Sequence, residues 1–210
     1  MRSISFLAIF VLILVLFLSI VTFFWDVPTN YISQIAMENK VLASLLFTFL
    51  MFLATVIAPV TATPIIPIAT TILPPMLVAV LSIIGWGMGA VIAFIVARRY
   101  GKPILARFVS LEELEKYEKK IPERLGFLTL ILLRMVVPVD VLSYAIGLVS
   151  SMRFWPYTAA TFIGITPFSF IFAYSGSAFF EGRFALLLFF AGGGVALFAI
   201  AWYSLKLRLR

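Results

Sequence analysis

The sequence contains no cysteine and no histidine, and only 12% of its 210 residues are charged. The absence of cysteine excludes disulfides, thiolate metal sites and cysteine nucleophiles. The absence of histidine removes the most common general base and the most common metal ligand, and with them phosphatidic-acid-phosphatase-type and rhomboid-type catalysis. We therefore expect a protein that is not an enzyme and that holds no cofactor and no metal.

Hydrophobic residues make up 63% of the chain, and the mean hydropathy is +1.15. Soluble domains are only about half apolar and about a quarter charged. The sequence therefore predicts an all-α integral membrane protein. The net charge of +7 is typical of headgroup contact in such a chain. We expect no nucleic-acid partner, because the five glutamates of the charged segment 98–124 would repel phosphates.

Apolar runs and charged segments divide the chain into consecutive regions. The predicted regions are an N-terminal transmembrane anchor (1–24), an external loop (25–40), a core (41–180), a C-terminal transmembrane helix (184–205) and a basic cytoplasmic tail (206–210). The segment 98–124 within the core is predicted to be amphipathic and cytoplasmic. Its first basic residues are expected to contact headgroups of the inner leaflet, and they are Arg98, Arg99, Lys102 and Arg107.

Prolines interrupt two apolar stretches of the core, one at about 41–75 around Pro59 and one at about 125–149 around Pro138. Broken backbone at membrane depth is tolerated only inside protein or beside water. If both stretches crossed the membrane, the segment 98–124 and the basic tail would lie on opposite sides, against the positive-inside rule. We therefore predict four transmembrane helices and two oppositely oriented re-entrant hairpins that form an inverted repeat, with both termini cytoplasmic.

Arg134 and Asp140 are the two charged residues predicted to lie within the hydrocarbon region. Each costs about 2.5 to 3.5 kcal/mol at the middle of a span, so such residues usually mark a functional site. They form either a structural ion pair or part of a polar path for an anionic headgroup or an ion. The residues around the two breaks that we assign to the same path are Pro59, Thr61, Thr63 and Pro138.

Glycines recur at helix-packing positions in the predicted spans. Gly85 and Gly89 form a GxxxG face, which lets two transmembrane helices approach closely. Gly164 and Gly176 are likewise predicted to be helix-packing positions, in the apolar stretch that follows the second hairpin.

The run 134–148 begins with Arg134, contains Pro138 and Asp140, and is followed by Gly164 and Gly176. It resembles the signature region of the VTT-domain (SNARE-associated Golgi protein) family of the DedA superfamily, as does the motif at 99–102. The resemblance implies opposed re-entrant hairpins and a role in transbilayer lipid movement, through phospholipid scrambling or recycling of a polyprenyl phosphate carrier. It also extends the predicted path to Ser143 and Tyr144 and the packing glycines to Gly147.

The sequence departs from the family pattern at two points. Val137 stands where members often carry a proline, and no acidic residue occurs between positions 41 and 97, where the DedA branch carries acids. Proton coupling through paired carboxylates and specificity for a polyprenyl phosphate are therefore not implied.

Three functions remain open from the sequence. The first is scrambling or flipping of membrane phospholipids, with anionic headgroups as partners. The second is ion- or proton-coupled transport of a small solute, with Asp140 as the coupling acid. The third is a membrane scaffold that transports nothing. The predicted location is a prokaryotic plasma membrane, and the oligomeric state is left open.

The predicted topology is tested by single cysteines, since the chain has none of its own. We expect Ser110→Cys and Ser151→Cys to react with a membrane-impermeant thiol reagent only from the cytoplasmic side, and Ser33→Cys and Ser177→Cys only from outside. Labelling of the two cytoplasmic positions from opposite sides would show that the stretch 125–149 crosses the membrane.

Overall fold

A computed structural model of the protein describes residues 39–57, 63–101, 126–137 and 139–208. Within these ranges the only regular structure is helical. The helices are α1 (Lys40–Val56), α2 (Ile65–Ala69), α3 (Pro75–Val96), α4 (Phe127–Val136), α5 (Val139–Val149), α6 (Phe154–Phe180) and α7 (Phe184–Arg208). A π-helical turn, Ala97–Gly101, extends α3. The predicted anchor 1–24, Pro59, Thr61, Pro138 and nearly all of 98–124, including Lys102 and Arg107, lie outside the described residues.

Three of the described helices are long and apolar enough to cross a membrane. They are α3 with its π-helical turn (27 residues), α6 (27 residues) and α7 (25 residues). At 1.5 Å per residue, each is longer than the hydrocarbon core of about 30 Å. The described part of the chain is therefore all-helical and has the long apolar helices expected of an α-helical membrane protein.

Prolines and one glycine set several helix boundaries. Pro75 occupies the first turn of α3, where its missing N–H costs nothing. Val137 is extended (ψ 138°), as expected for a residue that precedes a proline, and α4 therefore ends at Val136. Gly182, with φ +69°, lets the chain reverse between α6 and α7.

Helix α3 lies at the centre of the packing and contacts α1, α5 and α6. A Cβ atom added at Gly85 would lie 2.7 Å from Met51 Cβ, and one at Gly89 would lie 2.6 Å from Thr55 Cβ. These two glycines therefore face α1 at very short range. Gly87, between them in sequence, faces the Phe162 ring of α6.

Helix α6 is the second central helix and contacts α2, α3, α4 and α7. A Cβ atom at Gly176 would lie 2.5 Å from Pro67 Cα, so α2 rests directly on the backbone of α6. Helix α7 is peripheral, and Leu188 and Phe189 are each 72% exposed. Such an apolar exposed face suits contact with lipid chains.

The close contact between α1 and α3 can be tested by a matched pair of substitutions. Gly85→Ala should lower the free energy of unfolding by about 1 to 3 kcal/mol, because the added methyl meets Met51. Gly193→Ala should not destabilise, since a Cβ there meets no described atom within 4 Å. Thermal unfolding of both variants in detergent measures the difference. Equal melting temperatures would contradict the packing assigned to Gly85.

Candidate functional site

The Arg134 side chain is buried, with 3% exposure, in the last turn of α4. Its Nη1 donates to the Val139 carbonyl (2.7 Å) and to the Ser143 hydroxyl (2.9 Å). Its Nη2 donates to the Tyr157 hydroxyl (2.5 Å) and to the Thr161 hydroxyl (3.0 Å). These four acceptors are neutral and come from α5 and α6. They replace part of the hydration that the guanidinium would lose inside a membrane.

Gly164 makes this arrangement possible. A Cβ atom at Gly164 would lie 2.6 Å from Arg134 Cβ and 3.2 Å from the Ile131 carbonyl oxygen, so α4 lies directly on α6. Tyr157 and Thr161 precede Gly164 by seven and three residues and therefore share its face of α6. The helix is interrupted at the extended residue Val137, and the following helix α5 takes a new direction. Val139 and Ser143 of α5 thereby approach the Arg134 guanidinium.

Tyr157 connects Arg134 to the central helix α3. Its hydroxyl accepts from Arg134 and donates to the Ala90 carbonyl (2.9 Å), and its ring stacks on Phe94 with centroids 3.8 Å apart. Arg134 Cζ lies 5.2 Å from the centre of the same ring, within cation–π range. The guanidinium is therefore tied to α3, α5 and α6 as well as to its own helix.

A cavity of about 250 Å³ adjoins Arg134, and we call it the arginine cavity. Thr63 and Trp86 line it from the side of α2 and α3, and Ile165, Phe168 and Phe172 line it from α6. Among the described residues of this lining, Arg134 is the charged one. A guanidinium suits bidentate contact with phosphate, so an arginine beside such a cavity is a candidate anion contact.

The other predicted path residues occupy different positions. Ser143 bonds Arg134, and Thr63 lines the arginine cavity. Tyr144 instead donates to the Val56 carbonyl (2.5 Å) at the end of α1, and so connects the two proline-broken stretches. The backbone of Asp140 belongs to α5, but its side chain lies outside the described structure.

Gly147 lies against α3, where an added Cβ would be 2.6 Å from the Phe94 carbonyl oxygen. Arg98 donates to the carbonyls of Ser150 (2.5 Å) and Met152 (2.6 Å), so it holds the chain that follows α5. Arg99 is exposed and lies beside the Tyr100 ring. The contact of Arg98 and Arg99 with headgroups remains a prediction.

Tyr157 was not predicted from the sequence as a site residue, and Thr161 was recognised only as part of the family signature that follows the run 134–148. Both are fully buried polar residues four positions apart on a long apolar helix. That spacing was a usable signal, because polar side chains on one face of a transmembrane helix usually face other protein groups. The aromatic wall formed by Phe168 and Phe172 had no comparable signal in a chain with 22 phenylalanines.

The VTT domain family matches residues 40–178, more than half of the chain. The chain belongs to the VTT domain family. The resemblance stated for the run 134–148 is thereby confirmed, and Arg134, Tyr157, Thr161 and Gly164 all lie within the matched region. No curated protein and no solved structure matches the chain.

The central position of Tyr157 predicts a large effect of removing its hydroxyl. Tyr157→Phe leaves Arg134 and the Ala90 carbonyl each without one hydrogen bond, and should lower the free energy of unfolding by about 1 to 3 kcal/mol. Tyr203→Phe is the matched control, because Tyr203 is 64% exposed on α7. Unfolding in detergent compares the two, and an unchanged stability of Tyr157→Phe would contradict this role.

Proposed function

We propose that this VTT-domain protein moves phospholipids across the membrane by scrambling, with Arg134 as the residue that contacts the lipid phosphate. The observation that carries the proposal is a buried arginine that lines a cavity whose other described lining residues are uncharged. A charged residue is expensive inside a membrane and is usually retained there for a substrate or ion path. The family membership supports the same class of function.

The lengths of the helices support a re-entrant arrangement. Helices α4 and α5 have 10 and 11 residues, about 15 to 17 Å each, or half of a hydrocarbon core of about 30 Å. The extended residue Val137 separates them. We propose that they form one hairpin, that α1 and α2 form the opposing one, and that four further helices cross the membrane with both termini in the cytoplasm of a prokaryotic cell.

Similar packing in the two halves supports an inverted repeat. On α3, Gly89 lies against Thr55 Cβ and the carbonyl three residues before it. On α6, Gly164 lies against Arg134 Cβ and, likewise, the carbonyl three residues before it. Inverted repeats place substrate sites where broken helices meet near the midplane. Gly85 shows the same pattern against Met51 and the Thr48 carbonyl. The counterpart of Arg134 in the first half is therefore Thr55 or Met51; neither is charged, so the phosphate contact belongs to one half alone.

In the proposed mechanism a phosphate enters the arginine cavity while its acyl chains stay in the surrounding lipid. Both Nη atoms of Arg134 already donate to neutral acceptors, so a phosphate must displace some of them. It forms stronger hydrogen bonds than these acceptors do, because both partners then carry a charge. The guanidinium can therefore lower the cost of bringing a headgroup to membrane depth without any covalent step. Scrambling of this kind needs no energy source.

The proposal is tested by transport of labelled phospholipid in proteoliposomes. Arg134→Ala should reduce the rate by roughly tenfold or more, because a charge-assisted hydrogen bond is lost. Arg134→Lys should restore little, since a point charge lacks the planar guanidinium. Arg153→Ala is the matched control, because Arg153 is exposed and lies outside the cavity. Transport that persists in monodisperse Arg134→Ala would contradict the assignment.

Two further measurements distinguish the remaining functions. If Arg134 contacts phosphate, the double variant Arg134→Gln, Asp140→Asn should fold but transport no phospholipid. If the folded double variant transports phospholipid at the wild-type rate, the two charged residues have only a structural role. Transport that requires an ion gradient would favour a coupled transporter over a scramblase.

A further inference from the structure

The four acceptors described for the Arg134 side chain form two pairs, one at each terminal nitrogen of the guanidinium. Nη1 donates to the α5 pair, which consists of the Val139 carbonyl and the Ser143 hydroxyl. Nη2 donates to the α6 pair, which consists of the Tyr157 and Thr161 hydroxyls. A phosphate that binds Arg134 must replace acceptors at one of these nitrogens, and the surroundings of the two pairs differ.

The arginine cavity adjoins the α5 pair. Val139, whose carbonyl accepts from Nη1, is one of its lining residues, together with Arg134 and the extended residue Val137. Tyr157 and Thr161 are fully buried, and neither is among the residues that line this cavity. A phosphate in the cavity therefore approaches the guanidinium from the side of Val139.

The α5 pair keeps a hydrogen bond of its own when the guanidinium leaves it. The Ser143 hydroxyl accepts from Nη1 and at the same time donates to the Val139 carbonyl (2.6 Å). The two groups therefore remain bonded to each other without Arg134. Because the large cost of breaking a buried hydrogen bond comes from groups left without any partner, displacement at Nη1 costs the α5 pair little.

The α6 pair is held by further contacts. The Tyr157 hydroxyl donates to the Ala90 carbonyl of α3 (2.9 Å), and the Tyr157 ring stacks on Phe94 with centroids 3.8 Å apart. Thr161 lies one helical turn before Gly164, where the backbone of α6 meets α4 at very short range. Nη2 is therefore the end of the guanidinium that is fixed by the core.

We propose that phosphate displaces the α5 pair alone, so that the contact of Ser143 with Arg134 is autoinhibitory and occupies Nη1 until a headgroup replaces it. This inference rests on the proposed function and adds a regulation of the same site. Phosphate is the stronger acceptor, because its hydrogen bonds with a guanidinium join two charged groups. Tyr157 and Thr161 keep Nη2 in place during the exchange.

The exchange also releases the first turn of α5 from α4. The rest of α5 stays held, because Gly147 packs against α3 and Arg98 bonds two carbonyls just beyond the end of α5. The released turn carries Val139, which lines the arginine cavity. Phosphate binding therefore loosens the cavity wall at the place where the phosphate enters.

Transport of labelled phosphatidylcholine in proteoliposomes tests the exchange, because the two pairs predict different results. Ser143→Ala should raise the rate by roughly two- to tenfold, since Nη1 then has one acceptor fewer to exchange for phosphate. Thr161→Ala should not raise the rate, because the bond of Thr161 to Nη2 is present before and after phosphate binds. Ser169→Ala is the matched control, because Ser169 is buried, bonds the Ile165 carbonyl of its own helix and does not line the cavity. A rate that falls or stays unchanged in folded Ser143→Ala, or rises equally in Thr161→Ala, would overturn the inference.

Hydrogen exchange of the wild-type chain tests the same point without a substitution. Dihexanoylphosphatidylcholine added to the protein in detergent should raise amide exchange in 139–144 by roughly twofold or more and leave 157–164 unchanged. Dihexanoylglycerol, which lacks the phosphate, should leave both segments unchanged. Unchanged exchange in 139–144, or an equal rise in both segments, would overturn the inference.

The variants also separate this inference from the function on which it rests. If monodisperse Arg134→Ala still transports phospholipid, the proposed function is wrong. If Arg134→Ala is inactive and Ser143→Ala is no faster than the wild-type protein, only the autoinhibitory role of Ser143 is wrong.

Discussion

The burial of one guanidinium is the constraint on which the described core depends. Arg134 cannot reach water by extending its side chain, because its hydrogen bonds direct it inward to Tyr157 and Thr161. A buried arginine costs several kcal/mol unless the surrounding protein supplies acceptors. The acceptors come from α5 and α6, and Tyr157 passes the connection on to α3. The hydrogen bonds of Arg134 and Tyr157 therefore join four helices.

Glycines make such an arrangement possible in a bilayer, where apolar surfaces gain little by leaving lipid. Helices then associate by close packing and by polar contacts, and both require a short distance between backbones. Gly164 supplies that distance at Arg134, and Gly85 and Gly89 supply it between α1 and α3. Gly147 does the same for α5, and Gly176 for α2. The glycines and the polar network are thus parts of one solution to packing in lipid.

Much of the helical fold could be predicted from the sequence, because composition and hydropathy indicate which segments are apolar enough to lie in lipid. The apolar runs predicted the long helices α3, α6 and α7 closely, and a charged residue in an apolar run marked Arg134, with Asp140, as a candidate site residue. The partners of Arg134 were not predictable in the same way. Tyr157 lies on another helix, and which face of that helix meets α4 is decided by packing. The partners of Arg98 were equally unpredictable. Its hydrogen bonds to the Ser150 and Met152 carbonyls depend on where α5 ends.

The network around Arg134 also has a consequence for the order of assembly during synthesis. Tyr157 and Thr161 follow Arg134 by 23 and 27 residues, so a ribosome adding about 5 to 20 residues per second makes them about one to five seconds later. During that interval the guanidinium has neither of these two acceptors, while Ala90 and Phe94 of α3 have already been made. The stretch around Arg134 therefore gains its full stability in the membrane only after α6 has been synthesised, and α3 serves as the surface on which Tyr157 docks.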